Sequence, residues 1–326
     1  MLEILMVTFP FFALVLAGYM ATLRRMLPID AIPGLNTFVL YFALPCMLFR
    51  FGAGTPLDKL LDVPLFLTYL SCALLLLAFS VALSMNRRIR WNDSSFGALV
   101  AVFPNTGFMG VPLLVALLGA TAAGPAIVTL TIDLVITTSL CIALSRLDDA
   151  GSQGARVAAR NALKGMLVNP MPWAIGFGAL TSGMQLQWPE PALKTIGLMA
   201  DAASPVALFT LGTVLARSTL RHRAALQADP SHQRSPWSDH GKVVAIKLLL
   251  HPILMLFVGS AVIGLGWGLD PFALHVAVLV AALPSASNVV MLAERFMADS
   301  GRIARIVLET TALSFVTFSA AVSCLK

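Results

Sequence analysis

The chain is poor in charged residues, which make up 12% of its 326 positions, whereas hydrophobic residues make up 58%. An ordinary soluble domain averages about 25% charged residues. A water-soluble fold of this length would lack the polar side chains needed to cover its surface, and a lipid environment removes that need. The composition therefore predicts an integral membrane protein.

Cysteine pairs and enzyme motifs are also missing. The four cysteines lie in apolar segments and form no CxxC pair, which argues against a disulfide framework or a metal site. The sequence contains no P-loop, no HExxH and no glycine-rich phosphate loop. These absences predict a protein that is not an enzyme, that uses no cofactor or metal and that does not hydrolyse ATP.

The N-terminus lacks the charge order of a cleavable signal peptide. The first apolar run begins almost at Met1 and contains Glu3, and its basic pair Arg24 and Arg25 follows the run. We therefore expect this first run to remain as a membrane span.

Hydropathy predicts ten transmembrane helices, since a span needs about 20 mostly apolar residues. The expected spans are 3–22, 34–52, 64–85, 95–119, 124–145, 166–183, 192–216, 242–264, 271–293 and 302–324. With the N-terminus outside, seventeen of the 22 basic residues fall in the five loops on the cytoplasmic side or within four residues of them. This predicts a multi-pass protein of the inner membrane with both termini outside, and it makes the basic residues topology signals rather than a nucleic-acid surface.

The two halves of the chain resemble each other. Residues 43–52 match residues 203–212 at five of ten positions, and at the same offset of 160 Pro10 falls on Pro170. Beyond the polar stretch 217–241, which we predict to be a cytoplasmic loop, Pro104 falls on Pro284 at an offset of 180. We therefore predict two inverted repeats of five helices, 1–145 and 166–326, joined by a cytoplasmic linker at 146–165.

Two prolines should break the fourth and ninth spans near mid-membrane. Pro104 and Pro284 each remove a backbone donor and disfavour the preceding helical turn. Unwound backbone at this depth is tolerated where it lines a cavity, and helix N-termini there attract anions. The residues that we expect to bind substrate beside these breaks are Asn105, Thr106, Gly107, Ser285, Ser287 and Asn288.

Four ionisable residues within the spans are candidates for coupling, because charge in a membrane is expensive and usually functional. Asp133 is either a proton or cation site or a structural hydrogen-bond partner. Lys247 is an anion partner, a fixed charge in place of a sodium ion or a snorkelling residue. Glu309 either serves coupling or pairs with Arg305 four residues earlier, and Asp201 is a possible second acid facing the substrate.

Several of these segments together resemble the auxin efflux carrier family of bacterial and plant transporters. The resemblance rests on 43–45, on Pro104 to Pro112, on Asn169-Pro170, on Lys247 ahead of Pro252, and on the Pro/Asn break in the ninth span. It implies an all-α fold similar to the bile-acid symporters and to NhaA, with broken helices 4 and 9 crossing. It also implies a homodimer that carries carboxylates such as malonate or an auxin.

The function that we expect is secondary active transport of a small organic anion by alternating access, with proton linkage favoured over sodium. An uncoupled or potential-driven efflux carrier, a membrane anion sensor and an intramembrane enzyme are the competing hypotheses. Substrate and membrane lipid are the expected partners.

Overall fold

A computed structural model describes residues 2–56, 60–85, 89–145, 160, 170–228 and 237–325, and within these ranges the protein is entirely helical. In chain order the helices are α1 Leu2–Leu23, α2 Ile32–Phe38, α3 Leu44–Gly54, α4 Val63–Ser84, α5 Trp91–Val102, α6 Val111–Leu118, α7 Ala123–Ile132, α8 Thr138–Ser145, α9 Pro170–Gly183, α10 Glu190–Ala228, α11 Trp237–Ala245, α12 His251–Gly264, α13 Pro271–Ala282, α14 Asn288–Arg295 and α15 Ser300–Leu325. The expectation of an all-α membrane protein is confirmed.

Seven of the described helical segments are long and apolar enough to cross a membrane. They are Met6–Leu23, Ile29–Gly54, Val63–Ser84, Ala120–Ser145, Glu190–Arg221, His240–Gly264 and Ser300–Leu325. Each coincides with a predicted span. Many large apolar side chains on them are exposed, Phe9 and Phe257 among them, as expected of surfaces that face lipid.

Wide π-helical turns interrupt four of the described segments, at Val39–Ala43, Thr106–Gly110, Asp133–Thr137 and Ile246–Leu250. Such turns are rare and frequently mark functional sites, because they redirect side chains and leave carbonyl groups without their usual partner. Three of the four include or adjoin residues that the sequence singles out, namely Asn105, Asp133 and Lys247.

The stretch 217–241, predicted to be a loop, is partly helical. Helix α10 continues to Ala228, and α11 already begins at Trp237, so 229–236 is the part that lies outside the described residues. The stretch 217–228 is rich in Arg, Ala and Leu, which are good helix formers even in water, so polarity ended the membrane span there without ending the helix. The predicted linker 146–165 falls outside the described residues except for residue 160.

Close packing between four helical segments requires glycine at their contacts. We call these segments, which are α1, α2–α3, α9 and α10, the glycine-packed bundle. A Cβ atom added at Gly18 would lie 1.9 Å from the Phe209 carbonyl oxygen, and one at Gly178 would lie 2.7 Å from the Phe49 carbonyl oxygen. Small residues at helix contacts are the usual way for membrane helices to approach each other.

A second pair of glycines completes this bundle. A Cβ atom at Gly212 would lie 1.9 Å from the Val15 carbonyl oxygen, and one at Gly52 would lie 3.3 Å from the Ile175 carbonyl oxygen. The contacts of these four glycines form two equivalent pairs. A shift of 160 positions converts the Gly18–Phe209 contact into the Gly178–Phe49 contact, and it converts the Gly212–Val15 contact into the Gly52–Ile175 contact. The remaining helices, α4–α8 and α11–α15, form what we call the crossing bundle.

Candidate functional site

The two predicted breaks meet inside the crossing bundle. Helix α5 ends at Val102 and α13 ends at Ala282, each shortly before its proline. The two extended segments then form a short antiparallel bridge between Pro104 and Ser285. The Asn105 N–H donates to the Pro284 carbonyl at 2.8 Å, and the Ala286 N–H donates to the Phe103 carbonyl at 3.0 Å.

This bridge explains how unwound backbone can lie at the centre of the bundle. A buried N–H or carbonyl without a partner costs about 1–3 kcal/mol, so segments that cannot bond within their own helix must find partners elsewhere. Each broken segment supplies hydrogen-bond partners for backbone groups of the other segment. The breaks at Pro104 and Pro284 therefore depend on each other, and the crossing of the two chain segments is a direct consequence of the missing proline donors.

Beyond the bridge, two helical segments start at the same place. The π turn Thr106–Gly110 leads into α6, and α14 starts at Asn288. Among the described residues, no hydrogen-bond acceptor is shown for the backbone N–H groups of Gly107, Phe108, Ser287 and Asn288. Free N–H groups and the positive ends of two helix dipoles are suited to hold an anion.

Both helix starts open on one small cavity. Its lining residues are Leu44, Phe103, Pro104, Asn105, Gly107, Phe108, Leu130, Leu134, Met171, Ala286, Ser287 and Asn288. The wall opposite the helix starts is apolar, and it includes Leu44 and Met171 from the glycine-packed bundle. The cavity measures about 20 Å³, which is room for about one water molecule, so it must widen before a carboxylate can enter.

Of the six residues predicted to bind substrate, Asn105, Gly107, Ser287 and Asn288 line this cavity. The Nδ2 atom of Asn105 and the Oδ1 atom of Asn288 are buried without a partner among the described residues, and so is the Thr106 hydroxyl. Buried polar atoms normally have partners, and three unsatisfied ones beside the two crossing breaks indicate a place where a polar ligand or water belongs.

Ser285 differs from the other predicted binding residues because its groups are already used. Its hydroxyl donates to the Val100 carbonyl at 2.7 Å, and its backbone N–H donates to the Thr310 hydroxyl oxygen at 3.2 Å. Ser285 is fully buried and does not line the cavity. It fastens the second break to α5 and α15 rather than facing the cavity.

Lys247 is fully buried and lies at the end of the broken helix α13. Its ammonium group donates to the Ala281 carbonyl at 2.8 Å and lies 3.1 Å from Nδ1 of His251. The break takes away the helical partner of this carbonyl, since the Ser285 N–H points to Thr310 instead. A cation at a helix C-terminus is favourable, so Lys247 stabilises the unwound state of the ninth span.

Asp133 is also fully buried, at the π turn between α7 and α8. Its carboxylate accepts hydrogen bonds from the Tyr69 hydroxyl at 2.8 Å and from the Thr137 hydroxyl at 3.3 Å. Asp133 and Lys247 lie close enough to interact electrostatically, and the Tyr69 and His251 rings, 6.2 Å apart, lie side by side within the same cluster. The two buried ionisable groups thus belong to one polar cluster beside the crossing.

The other two charged candidates lie elsewhere. Asp201 forms an ion pair with Arg50 at 2.6 Å, with 68% and 41% of the two side chains exposed, in the glycine-packed bundle and outside the cavity. The Oε1 atom of Glu309 lies 3.0 Å from Nε2 of His240. This partner lies on another helix, α11.

Four further residues, Tyr69, His240, His251 and Thr310, were not among the predicted site residues. Each contacts a group that the sequence had already singled out. The available signal was the rarity of such side chains within apolar spans, since the chain has three tyrosines and five histidines in total. No group of three His, Cys, Asp or Glu side chains able to hold a metal ion occurs in the described parts of the chain.

Comparison with known proteins identifies the family of the chain. Residues 3–322 match the family model described as "Membrane transport protein". A protein of Rhizobium meliloti (strain 1021) named "Putative malonate transporter" is 29% identical over 318 residues, which cover 97% of this chain and 94% of that protein.

Two further relatives are named only as transporters. The uncharacterized transporter YfdV of Escherichia coli (strain K12) is 25% identical over 292 residues, covering 88% of this chain and 86% of its own. An uncharacterized transporter of Methanothermobacter thermautotrophicus is 25% identical over 308 residues, covering 93% and 92%. The chain therefore belongs to the membrane transport protein family of the auxin efflux carriers, and it is a transporter and not an enzyme.

Proposed function

We propose that this protein is a secondary active transporter of a small organic anion, a carboxylate, which binds where the two broken helices cross. The observation that carries the proposal is the convergence of two helix N-termini on one buried cavity with an unpartnered Asn105 donor. A carboxylate would accept hydrogen bonds from the backbone of Gly107 and Asn288 and from the Asn105 amide. The malonate in the name of the Rhizobium relative supports a carboxylate substrate.

Transport would proceed by alternating access between the two bundles. The cavity has walls from both, with Leu44 and Met171 from the glycine-packed bundle and the remainder from the crossing bundle. Relative movement would therefore open the same site to either side of the membrane. Ten spans in two inverted repeats, with both termini outside and a homodimeric assembly, complete the proposal, and the glycine contacts repeated at an offset of 160 support the repeat.

The proposed coupling ion is the proton. Lys247 and Asp133 are both buried beside the crossing, and the Lys247 side chain already donates to the Ala281 carbonyl, where a bound cation would otherwise be held. Asp201 lies on an exposed surface instead, so we give it no part in coupling.

Counterflow in proteoliposomes tests the transport proposal. Purified protein is reconstituted with unlabelled malonate or indole-3-acetate inside, and uptake of the labelled compound is measured. We expect uptake by the unaltered protein and at least a tenfold loss in Asn105→Ala, Asn288→Ala and Asn105→Asp, since the last keeps the size of the side chain while repelling an anion.

The matched control is Gln185→Ala, which removes an exposed amide far from the cavity and should leave uptake unchanged. Gel filtration and thermal unfolding of each variant establish that it is folded. Normal counterflow by folded Asn105 and Asn288 variants would overturn the crossing site. Binding of labelled compound without counterflow by the unaltered protein would favour the anion sensor instead.

A further inference from the structure

A second buried polar cluster lies away from the cavity, where α11 packs against α15. Nε2 of His240 lies 3.0 Å from Oε1 of Glu309, and the side chains are 4% and 27% exposed. Nδ1 of His240 is buried and has no hydrogen-bond partner among the described residues. The transport site described above uses neither residue.

The charges around His240 come mainly from α15. Glu309, Arg305 and Arg302 on that helix all act on it electrostatically. Helix α5, which also packs against α11, contributes Asp93, whose backbone carbonyl accepts a hydrogen bond from the Arg302 guanidinium.

The remaining neighbours of α11 are the π turn Ile246–Leu250 and helix α4. The π turn contributes Lys247, which is bound to the Ala281 carbonyl and His251. Helix α4 contributes Tyr69, which donates its hydroxyl to Asp133. The imidazole of His240 is thus in contact with one partly exposed carboxylate and within the electrostatic reach of two arginines.

A comparison of Glu309 with Asp133 shows why this pair is different. Asp133 is inaccessible and holds two hydroxyl donors, so it has no path to water in this state. Glu309 has 27% of its side chain exposed, and its partner is an imidazole. Imidazole is the side chain whose charge ordinarily changes between pH 5 and 8.

This cluster is also connected to the crossing. Glu309 directly precedes Thr310, whose hydroxyl accepts the backbone N–H of Ser285 in the second break. Any shift of α15 that accompanies a change of charge in the His240–Glu309 pair therefore acts within one residue on Thr310, which holds the backbone of the second break. Helices transmit such shifts because they are rigid over several turns.

We infer that His240 and Glu309 form a proton-binding pair that exchanges protons with water on the arginine-bearing side of the membrane, which the proposed orientation makes the cytoplasm. The imidazole takes one proton from water, and the resulting imidazolium donates its Nε2–H to the Glu309 carboxylate. Return of that proton to water restores the neutral ring. The role of the pair in coupling rests on the proposed transport function, whereas its ability to bind a proton does not.

Histidine-selective NMR on the full-length protein in lipid nanodiscs tests proton binding without any substrate. The chain has only five histidines, and His240→Gln identifies the resonance of interest. We expect this resonance to titrate reversibly between pH 5 and 8, and Glu309→Gln to weaken proton binding by at least tenfold. His275→Gln is the matched control, because it removes another imidazole with a buried, unpartnered Nε2 and should leave the His240 titration unchanged.

Two NMR results would overturn the inference. One is a His240 resonance that stays constant across this pH range. The other is a titration that is the same in Glu309→Gln as in the unaltered protein, since the carboxylate would then have no part in holding the proton. Thermal unfolding of each variant, compared with the unaltered protein, shows that the fold is retained.

A second measurement separates coupling from structure. In proteoliposomes, His240→Gln and Glu309→Gln should keep labelled malonate counterflow within about twofold, because exchange needs no net proton movement, while uptake driven by a pH gradient falls at least tenfold. Equal pH-driven uptake by variant and unaltered protein would overturn the coupling role. If the unaltered protein gives no counterflow with malonate or indole-3-acetate, the transport proposal fails, and the NMR titration still decides whether the pair binds a proton.

Discussion

The glycine-packed bundle repeats its close contacts between the two halves of the chain, whereas the crossing bundle does not repeat its hydrogen bonds. In the first, each close contact has a counterpart 160 residues away, so that Gly18 against Phe209 corresponds to Gly178 against Phe49. In the second, the offset of 180 that aligns Pro104 with Pro284 does not align their hydrogen bonds. The Asn105 N–H crosses to Pro284, whereas the Ser285 N–H turns away to Thr310.

This difference shows where the two halves have separate tasks. Backbones in van der Waals contact leave no choice of residue, so both halves must meet the same steric condition with glycine. At the crossing, one break is fastened by Ser285, Thr310 and Lys247, and the other leaves the Asn105 amide unpartnered at the cavity. The two breaks thus differ in how they are held, although both place an unpartnered asparagine atom beside the cavity.

The largest effect should come from breaking the glycine-packed bundle. A methyl group at Gly18 or Gly212 would collide with backbone, which cannot give way as a side chain can. We expect Gly18→Ala and Gly212→Ala to lose about 3 kcal/mol or more of unfolding free energy and most of the folded protein. The yield of monodisperse protein and its thermal unfolding measure this.

Two glycines on helix α9, Gly178 and Gly176, provide a matched comparison for this experiment. Gly178→Ala should destabilise less than Gly18→Ala, because its nearest backbone atom is further away, and Gly176→Ala should be neutral, because no atom lies within 4 Å of its Cβ position. Equal stability of the Gly178 and Gly176 variants would show that close backbone approach does not hold this bundle together.

An intermediate effect is expected at the fixed charges of the crossing. Lys247→Met removes the donor to the Ala281 carbonyl and the counter-charge of Asp133, and both groups remain buried. Removing one partner from such a cluster should cost about 2–3 kcal/mol.

Detergent-induced unfolding of Lys247→Met measures this cost, and Lys242→Met, exposed on the neighbouring helix, is the control. Combining Lys247→Met with Asp133→Asn should cost less than the sum of the two single changes, because the charges compensate each other. Strict additivity would mean that the two groups act independently.

Local chemistry made part of this structure predictable. The breaks at Pro104 and Pro284 follow from a missing donor and a steric clash, which depend on the proline alone, and the long spans follow from hydropathy. The partners Tyr69 and Asp133, or His240 and Glu309, are 64 and 69 positions apart, and polarity within a span shows that a residue needs a partner without showing which one. Polarity likewise misplaced the end of α10, since water does not unwind a helix made of good helix formers.

The smallest effect should come from the hydrogen bond that makes the two breaks unequal. Thr310→Val keeps the side-chain shape but removes the only acceptor shown for the Ser285 N–H among the described residues, at a cost of about 1–2 kcal/mol. Thr317→Val on the same helix, where the hydroxyl is exposed, is the control and should be near neutral. Hydrogen exchange at the Ser285 amide should rise in the Thr310 variant and not in the control. If exchange stays slow, the N–H has turned to the Pro104 carbonyl as the repeat would have it, and the crossing is then more symmetric than its hydrogen bonds indicate.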